Sequence, residues 1–268
     1  MNALPALPAA LRGSTLHPQF VRLAGDPPRE YFGFCPQDCD PGAVPLVLVH
    51  GISRNAIELV LRFAPHAQAF GVPIIAPLFT REAYGMYQQV VDPRRGIRAD
   101  LALFDMLDDF AARWGLSARS IALFGFSGGA QFAHRLAMLH PDRIAACAPV
   151  SAGWYTWPDP DMAWPMGLAG APLGPVDLAA LAQIPFHTLV GRRDTDNDEA
   201  LRRNARLDAL QGENRLQRAR AWHKAMRKAG MDRRSSLTVL PRTRHNFASA
   251  ERRGLAEVVF GLLGHQGE

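Results

Sequence analysis

The chain has 268 residues, 48% hydrophobic and 21% charged, which suits a globular protein long enough to bury one large core. No apolar run approaches the roughly 20 residues needed to cross a bilayer, so no membrane partner is expected. The formal net charge of +5 comes almost wholly from arginine, Lys224 and Lys228 being the lysines; the cations are scattered, with small groups at Arg94, Arg95, Arg98 and at Arg233, Arg234, and without a dense basic stripe they read as a solvated surface, so no nucleic-acid partner is expected.

The opening MNALPALPAALRGSTL lacks a cationic start, and Pro5 and Pro8 interrupt its short apolar stretch, so no export signal is read there. The cysteines are Cys35, Cys39 and Cys147, an odd count with one close pair and therefore not a disulfide framework. Cys35 and Cys39 either pair or stand as bystanders in a Pro-rich turn, and Cys147 is expected to pack as a small buried residue. A reduced, cytoplasmic setting is the expectation.

Beyond this point short apolar runs alternate with helical patterns, the signature of a mostly parallel sheet covered by helices. Residues 20–34 suit an antiparallel hairpin that begins the sheet. Residues 46–50 (LVLVH) form a continuous apolar run fit for a buried parallel strand. A helix follows over 55–70, with Gly71 ending it, and 72–76 gives the next strand. Over 97–114, Leu101, Phe104, Leu107, Phe110 and Ala111 keep a helical spacing, with Gly115 as the stop. A strand at 121–126, a helix at 128–139 that breaks before Pro141, and a strand at 144–150 come next. The pattern is lost over 151–184, a Pro-, Gly- and Trp-rich stretch too long for an ordinary connection, which reads as a lid-like insertion. It resumes with a strand at 186–190, a long helix near 214–229, a strand at 237–240 and a last helix from about Ser249. With no internal repeat, 1–268 reads as one α/β domain carrying that insertion.

Between a strand and a helix stands Gly125-Phe126-Ser127-Gly128-Gly129, a match to G-x-S-x-G. A sharp turn there leaves the serine hydroxyl projecting above the sheet, and glycines on both sides let neighbouring backbone approach closely. A serine hydroxyl becomes a useful nucleophile only when a base takes its proton. Of the nine histidines, His66, His134 and His140 fall in or at the end of helical patterns, and His187 lies inside a strand. His245 sits in a loop after the last strand, at the carboxyl edge where catalysis gathers in parallel sheets. It is the expected base.

An acid should hold the imidazole tautomer and stabilise its charged form. Asp194, three residues beyond Gly191 and nearest a strand end, is preferred over its rival Asp196, with Asp198 and Glu199 close by. The D-x-D-x-D spacing from Asp194 is not a calcium loop, because Glu199 stands where glycine is needed and Ala205 where glutamate is needed. Oxyanion donors are expected from the backbone N–H groups of Gly128 and of Ile52 in the His50-Gly51-Ile52-Ser53 loop, with Ser53 the alternative. His50 itself is read as bracing that loop. No metal or other cofactor is implied.

The order Ser127, Asp194, His245, with the His50-Gly51 loop and the Gly125-to-Gly129 turn, resembles the α/β-hydrolase superfamily over nearly the whole chain. The wording His50-Gly51-Ile52-Ser53-Arg54-Asn55 and Ser151-Ala152-Gly153-Trp154-Tyr155 resembles bacterial polyhydroxybutyrate depolymerase-like and feruloyl-esterase-like hydrolases. The resemblance implies a serine hydrolase that cleaves carboxylic esters of small or medium molecules through an acyl-enzyme. A thioesterase or amidase using the same residues is the alternative, and a catalytically silent binding protein the rival of another class. Trp154, Tyr155, Trp157 and Trp164 crowd the insertion, and Trp154 or Tyr155 is expected to wall the substrate pocket.

Overall fold

The computed structural model describes residues 17–231 and 234–263; the opening segment read above and Arg233 lie outside them. In chain order the elements are β1 (Gln19–Leu23), β2 (Arg29–Phe34), β3 (Leu46–Val49), α1 (Ala56–Phe70), β4 (Ile74–Pro77), α2 (Ala99–Trp114), β5 (Ile121–Phe126), α3 (Gly128–Leu139), β6 (Ile144–Val150), α4 (Leu178–Leu181), β7 (Phe186–Gly191), α5 (Ala205–Gln211), α6 (Arg215–Met226), β8 (Ser235–Leu240), α7 (Phe247–Glu251) and α8 (Leu255–Leu263). The strands make one eight-stranded sheet in the order β1-β2-β4-β3-β5-β6-β7-β8. The hairpin β1–β2 and the β2–β4 pair are antiparallel, and all other pairings are parallel. The chain is therefore an α/β protein with a mostly parallel central sheet flanked by helices.

Strand periodicity divides the core into two layers. Val47 and Val49 of β3, with Ile121 and Leu123 of β5, pack under Leu103 and Phe110 of α2, Phe132 of α3 and Trp222 of α6. The alternate residues Leu46, Leu48, Ala122 and Phe124 face Val60 and Phe63 of α1 and Val259 and Phe260 of α8. Both faces of these strands are buried, hence the unbroken apolar runs. Each fully buried large aliphatic or aromatic side chain is worth about 1.5–3 kcal/mol, an upper estimate against a compact unfolded chain. The parallel strands point the same way, so the loops after β3, β5, β7 and β8 open on one edge. The chain runs from β3 to β4 on one side and then to β5 on the other, making a topological switch point there, where open sheets form their crevice.

The differences from the sequence reading have local causes. α2 begins at Ala99, because Arg98 is extended and bridged to Val91. The long helix ends at Met226 and gives way to a π-turn in which Gly230 has φ 92°. The terminal helix is two, α7 and α8, broken at Gly254 with φ 87°. α5 was not anticipated. Segment 151–184 is turns and bends apart from α4, cross-linked by bonds such as Leu168 N–H to the Asp159 carbonyl at 2.9 Å. Among the described residues no helix is long and apolar enough to cross a membrane.

Candidate active site

Ser127 joins β5 to α3 with φ 56° and ψ −109°, a conformation that costs a non-glycine residue about 1–3 kcal/mol and persists only where packing over-determines it. Here it does. A Cβ on Gly125 would run into the Gly129 backbone, and one on Gly129 into the Val49 carbonyl oxygen, so α3 is set directly against the ends of two strands. The Ser127 N–H donates to the Val150 carbonyl at 2.9 Å, fixing the turn from the other side.

His245 reaches that serine from the loop after β8. Its Nε2 lies 3.0 Å from Ser127 Oγ and its Nδ1 3.0 Å from Asp194 Oδ2. A carboxylate accepts, so Nδ1 carries the proton and Nε2 is free to accept from the hydroxyl. The imidazole stacks on Phe126 at 5.1 Å and 23°. Immediately after it, Asn246 caps α7 by accepting from the Ser249 N–H at 2.7 Å. The loops carrying Asp194 and His245 are zipped together: Arg192 N–H donates to the Leu240 carbonyl and Arg193 N–H to that of Thr243. Asp194 is 0% exposed. Asp196 instead pairs with Arg244 at 3.2 Å in solvent, and Asp198 pairs with Arg215. Of the candidate acids, Asp194 is thus the one brought to the imidazole.

The loop after β3 is braced by His50. The Phe79 N–H donates to its Nε2 at 3.1 Å, so its Nδ1–H donates to the Gly51 carbonyl at 2.8 Å. Burial, reinforced by the Arg54 cation, pushes the His50 pKa down to about 4, so the ring is neutral and spoken for at both nitrogens. Tyr87 completes the brace by donating to the His50 carbonyl at 2.7 Å. A Cβ on Gly128 would lie 2.8 Å from the Tyr87 hydroxyl, 3.0 Å from Ile52 Cγ2 and 3.4 Å from the Ile52 nitrogen. The backbones of Gly128 and Ile52 therefore face each other across a gap that only glycine leaves open. Ile52 itself is 47% exposed at the rim.

Ser127, His245 and the loop from His50 to Ser53 border a cleft of about 310 Å³ with Leu59, Phe126 and Phe247 as apolar lining and Asn55, Glu58 and Asn246 as polar lining.

No protein-family model matches the chain, and no curated protein sequence matches it. Solved structures do. The poly(aspartic acid) hydrolase-1 of Sphingomonas sp. KT-1 is similar with a TM-score of 0.78 at 24% identity, over 92% of this chain and 100% of that one. The poly(3-hydroxybutyrate) depolymerase of Bordetella parapertussis superposes with a TM-score of 0.76 at 23% identity, over 95% and 91%. A ferulic acid esterase does so with a TM-score of 0.60 at 16% identity, over 93% and 100%.

The fold is that of the α/β-hydrolases.

Within this α/β-hydrolase fold the expected aromatic wall is not at the cleft. Tyr155 is buried and stacks on Trp222 at 4.6 Å and 15°. Trp154 is buried between guanidinium groups, Arg135 at 4.2 Å and Arg202 at 5.3 Å. Neither lines the cleft, nor does any other residue of 151–184. The reason is direction. Leaving β6, the chain folds its aromatics onto the α3 and α6 face of the sheet, whereas the cleft opens beside α1 and α7. Other histidines are engaged elsewhere: His134 with the Ala130 carbonyl and Thr156 N–H, His140 with Asp100, His187 with Ser236 and His223 with Ser235. Sequence reasoning missed Phe126, which is the unspecified second position of the turn motif, and Phe247, Leu59 and Tyr87, whose signal is only apolar periodicity.

Proposed function

We propose that the chain is a serine hydrolase cleaving carboxylic esters of small or medium size through an acyl-enzyme. The reading rests on one observation, the continuous line from Ser127 Oγ through His245 to Asp194 with both contacts at 3.0 Å. Ser127 attacks the ester carbonyl while His245 Nε2 takes its proton. The Gly128 and Ile52 N–H groups, with Ser53 as the alternative second donor, meet the tetrahedral oxyanion, where such preorganised donors are typically worth 10²–10³ in rate each. His245 then gives the proton to the departing alkoxide. In the second half it takes a proton from water, which hydrolyses the acyl-enzyme and restores Ser127. Asp194 holds the imidazole tautomer and offsets its transient charge. Esterase and depolymerase neighbours support hydrolysis, and the cleft volume supports a small or medium substrate, the one partner this mechanism requires. Residues 1–268 act as one unit, with 151–184 an insertion in it. The unpaired thiols of Cys35, Cys39 and Cys147 favour a reducing, cytoplasmic setting. A fluorophosphonate probe followed by peptide mapping tests the nucleophile: modification of Ser127 is expected, and modification elsewhere, or none in folded protein, overturns the assignment. Nitrophenyl esters from acetate to palmitate, run beside thioester and anilide counterparts, decide the bond cleaved.

A further inference from the structure

Asp194 uses its two oxygens unequally. Oδ2 meets His245, whereas Oδ1 is buried and has no hydrogen-bond partner. Facing Oδ1 at 3.8 Å is the guanidinium of Arg215, 1% exposed, which grips Asp198 with two bonds of 2.8 and 2.9 Å. The Arg215 Nε is likewise buried without a partner. Arg215 opens α6, and the next residue, Leu216, donates its N–H to the Asp194 carbonyl at 3.2 Å. The start of α6 is therefore fastened to Asp194 through backbone and through charge. A buried cation needs a compensating anion, and this one divides itself between two: Asp194, with 0% of its side chain exposed, and Asp198, with 39%. The surrounding groups are few. Tyr155 is buried close enough to Asp194 for the carboxylate to disfavour its ionisation, burial being the larger cause. Arg218 adds a second cation from α6, His245 acts on Asp198, and the Asp196–Arg244 pair lies outside in solvent.

We propose that Arg215 is a positioning residue of the hydrolytic site: shared between Asp194 and Asp198, it fixes the Asp194 carboxylate and limits how firmly His245 holds a proton. The proposal rests on the serine-hydrolase reading. A cation behind the carboxylate opposes a second positive charge on the imidazole, so it keeps His245 free to act as base at lower pH. Asp198 has the contrary effect, because it neutralises Arg215 and directly favours protonated His245. The two partners of one ion pair should therefore move the pH profile in opposite directions, which a merely structural pair would not do.

The experiment is the pH dependence of kcat/KM for a nitrophenyl ester in the parent, Arg215→Met and Asp198→Asn, with circular dichroism to verify folding. The parent is examined first: hydrolysis that does not depend on Ser127 overturns the serine-hydrolase reading itself. With a competent parent, the acid limb is expected to move up by roughly half a pH unit to one unit in Arg215→Met, and down by a similar amount in Asp198→Asn. Should Arg215→Met not fold, Arg215→Gln takes its place, with the same upward displacement expected. Limbs that stay where the parent has them, or that move the same way in both variants, overturn the role of Arg215 and leave the nucleophile assignment untouched.

Discussion

Gly191 and Thr243 meet backbone to backbone: a Cβ on Gly191 would run into the Thr243 carbonyl oxygen and lie 3.2 Å from the Thr243 Cβ. This contact is the joint between the loops that carry Asp194 and His245. Gly191→Ala should push the loops apart, cost about 1–3 kcal/mol of stability as overpacked sites do, and lower kcat/KM by roughly tenfold or more, since small misplacements of reacting groups are costly. Thermal melts and ester kinetics on the same preparation check it; parental activity would mean that the joint does not set the triad geometry.

Ser127 holds a strained backbone conformation, with φ 56° and ψ −109°. Ser127→Gly should abolish ester hydrolysis while melting no lower than the parent, because relief of a conformation costing about 1–3 kcal/mol outweighs the roughly 0.4–1 kcal/mol lost to the freer unfolded chain. A clear fall in melting temperature would mean that the turn is held without strain.

Asp194→Asn should lower kcat by about two orders of magnitude or more, because an amide can present the wrong hydrogen-bonding face to His245; the equivalent change in a well-studied serine protease costs ~10⁴. Asp196→Asn removes an exposed pair with Arg244, which is worth at most about 1 kcal/mol, and should leave kcat within roughly threefold. Steady-state kinetics on both variants decides between the two acids.

Tyr155 belongs to the core, not to the cleft. Tyr155→Ala should cost about 3–5 kcal/mol of stability yet leave the ratio of specificity constants for short and long esters unchanged. Tyr155→Phe, which deletes only the hydroxyl and keeps the stacked ring, should leave that ratio unchanged as well. A changed ester preference in correctly folded Tyr155→Phe would return this residue to the substrate pocket.

Asp100 gives the stability an acid limb. Its burial alone would raise its pKa, but hydrogen bonds from His140 and Arg98 outweigh that and hold it at about 2. The ionised form is favoured by folding, so this contribution of about 2 kcal/mol is complete above pH ~4 and is lost as pH falls towards 2. Denaturant unfolding between pH 2 and pH 6 should therefore show a shallower acid decline in Asp100→Asn than in the parent.

What could be read in the sequence was what local chemistry decides. β5, α3 and β6 carry the bounds expected of them, because an apolar strand, a glycine-flanked turn and a helix ended by Pro141 are each set by neighbouring residues. Ser127 and His245 stand at strand ends, and parallel strands must deliver their ends to one edge. The choice between Asp194 and Asp196 needed the backbone, since two residues in a loop point to different surroundings. Trp154 and Tyr155 were misassigned because the face a loop packs against depends on the direction in which β6 releases it. Arg215 gave no signal at all: arginine in a polar helix normally faces solvent, and only the approach of α6 to β7 buries it.

The order of the strands also sets the order of events. Ser127 and Gly128 follow β5 and Ile52 follows β3, both in the middle of the sheet, but His245, 118 positions after Ser127, follows β8, an edge strand paired with β7. During synthesis Ser127, Gly128 and Ile52 emerge long before His245, which with Asn246 and Phe247 also lines the cleft, so neither the Ser127–His245 contact nor the complete cleft exists until the chain beyond β8 is made. On heating the sequence reverses. Edge strands open below the temperature at which a buried centre melts, and fraying of β8 withdraws His245 while β3 and β5 stand intact. The contact between Ser127 and His245 is thus the last the chain makes and the first it gives up.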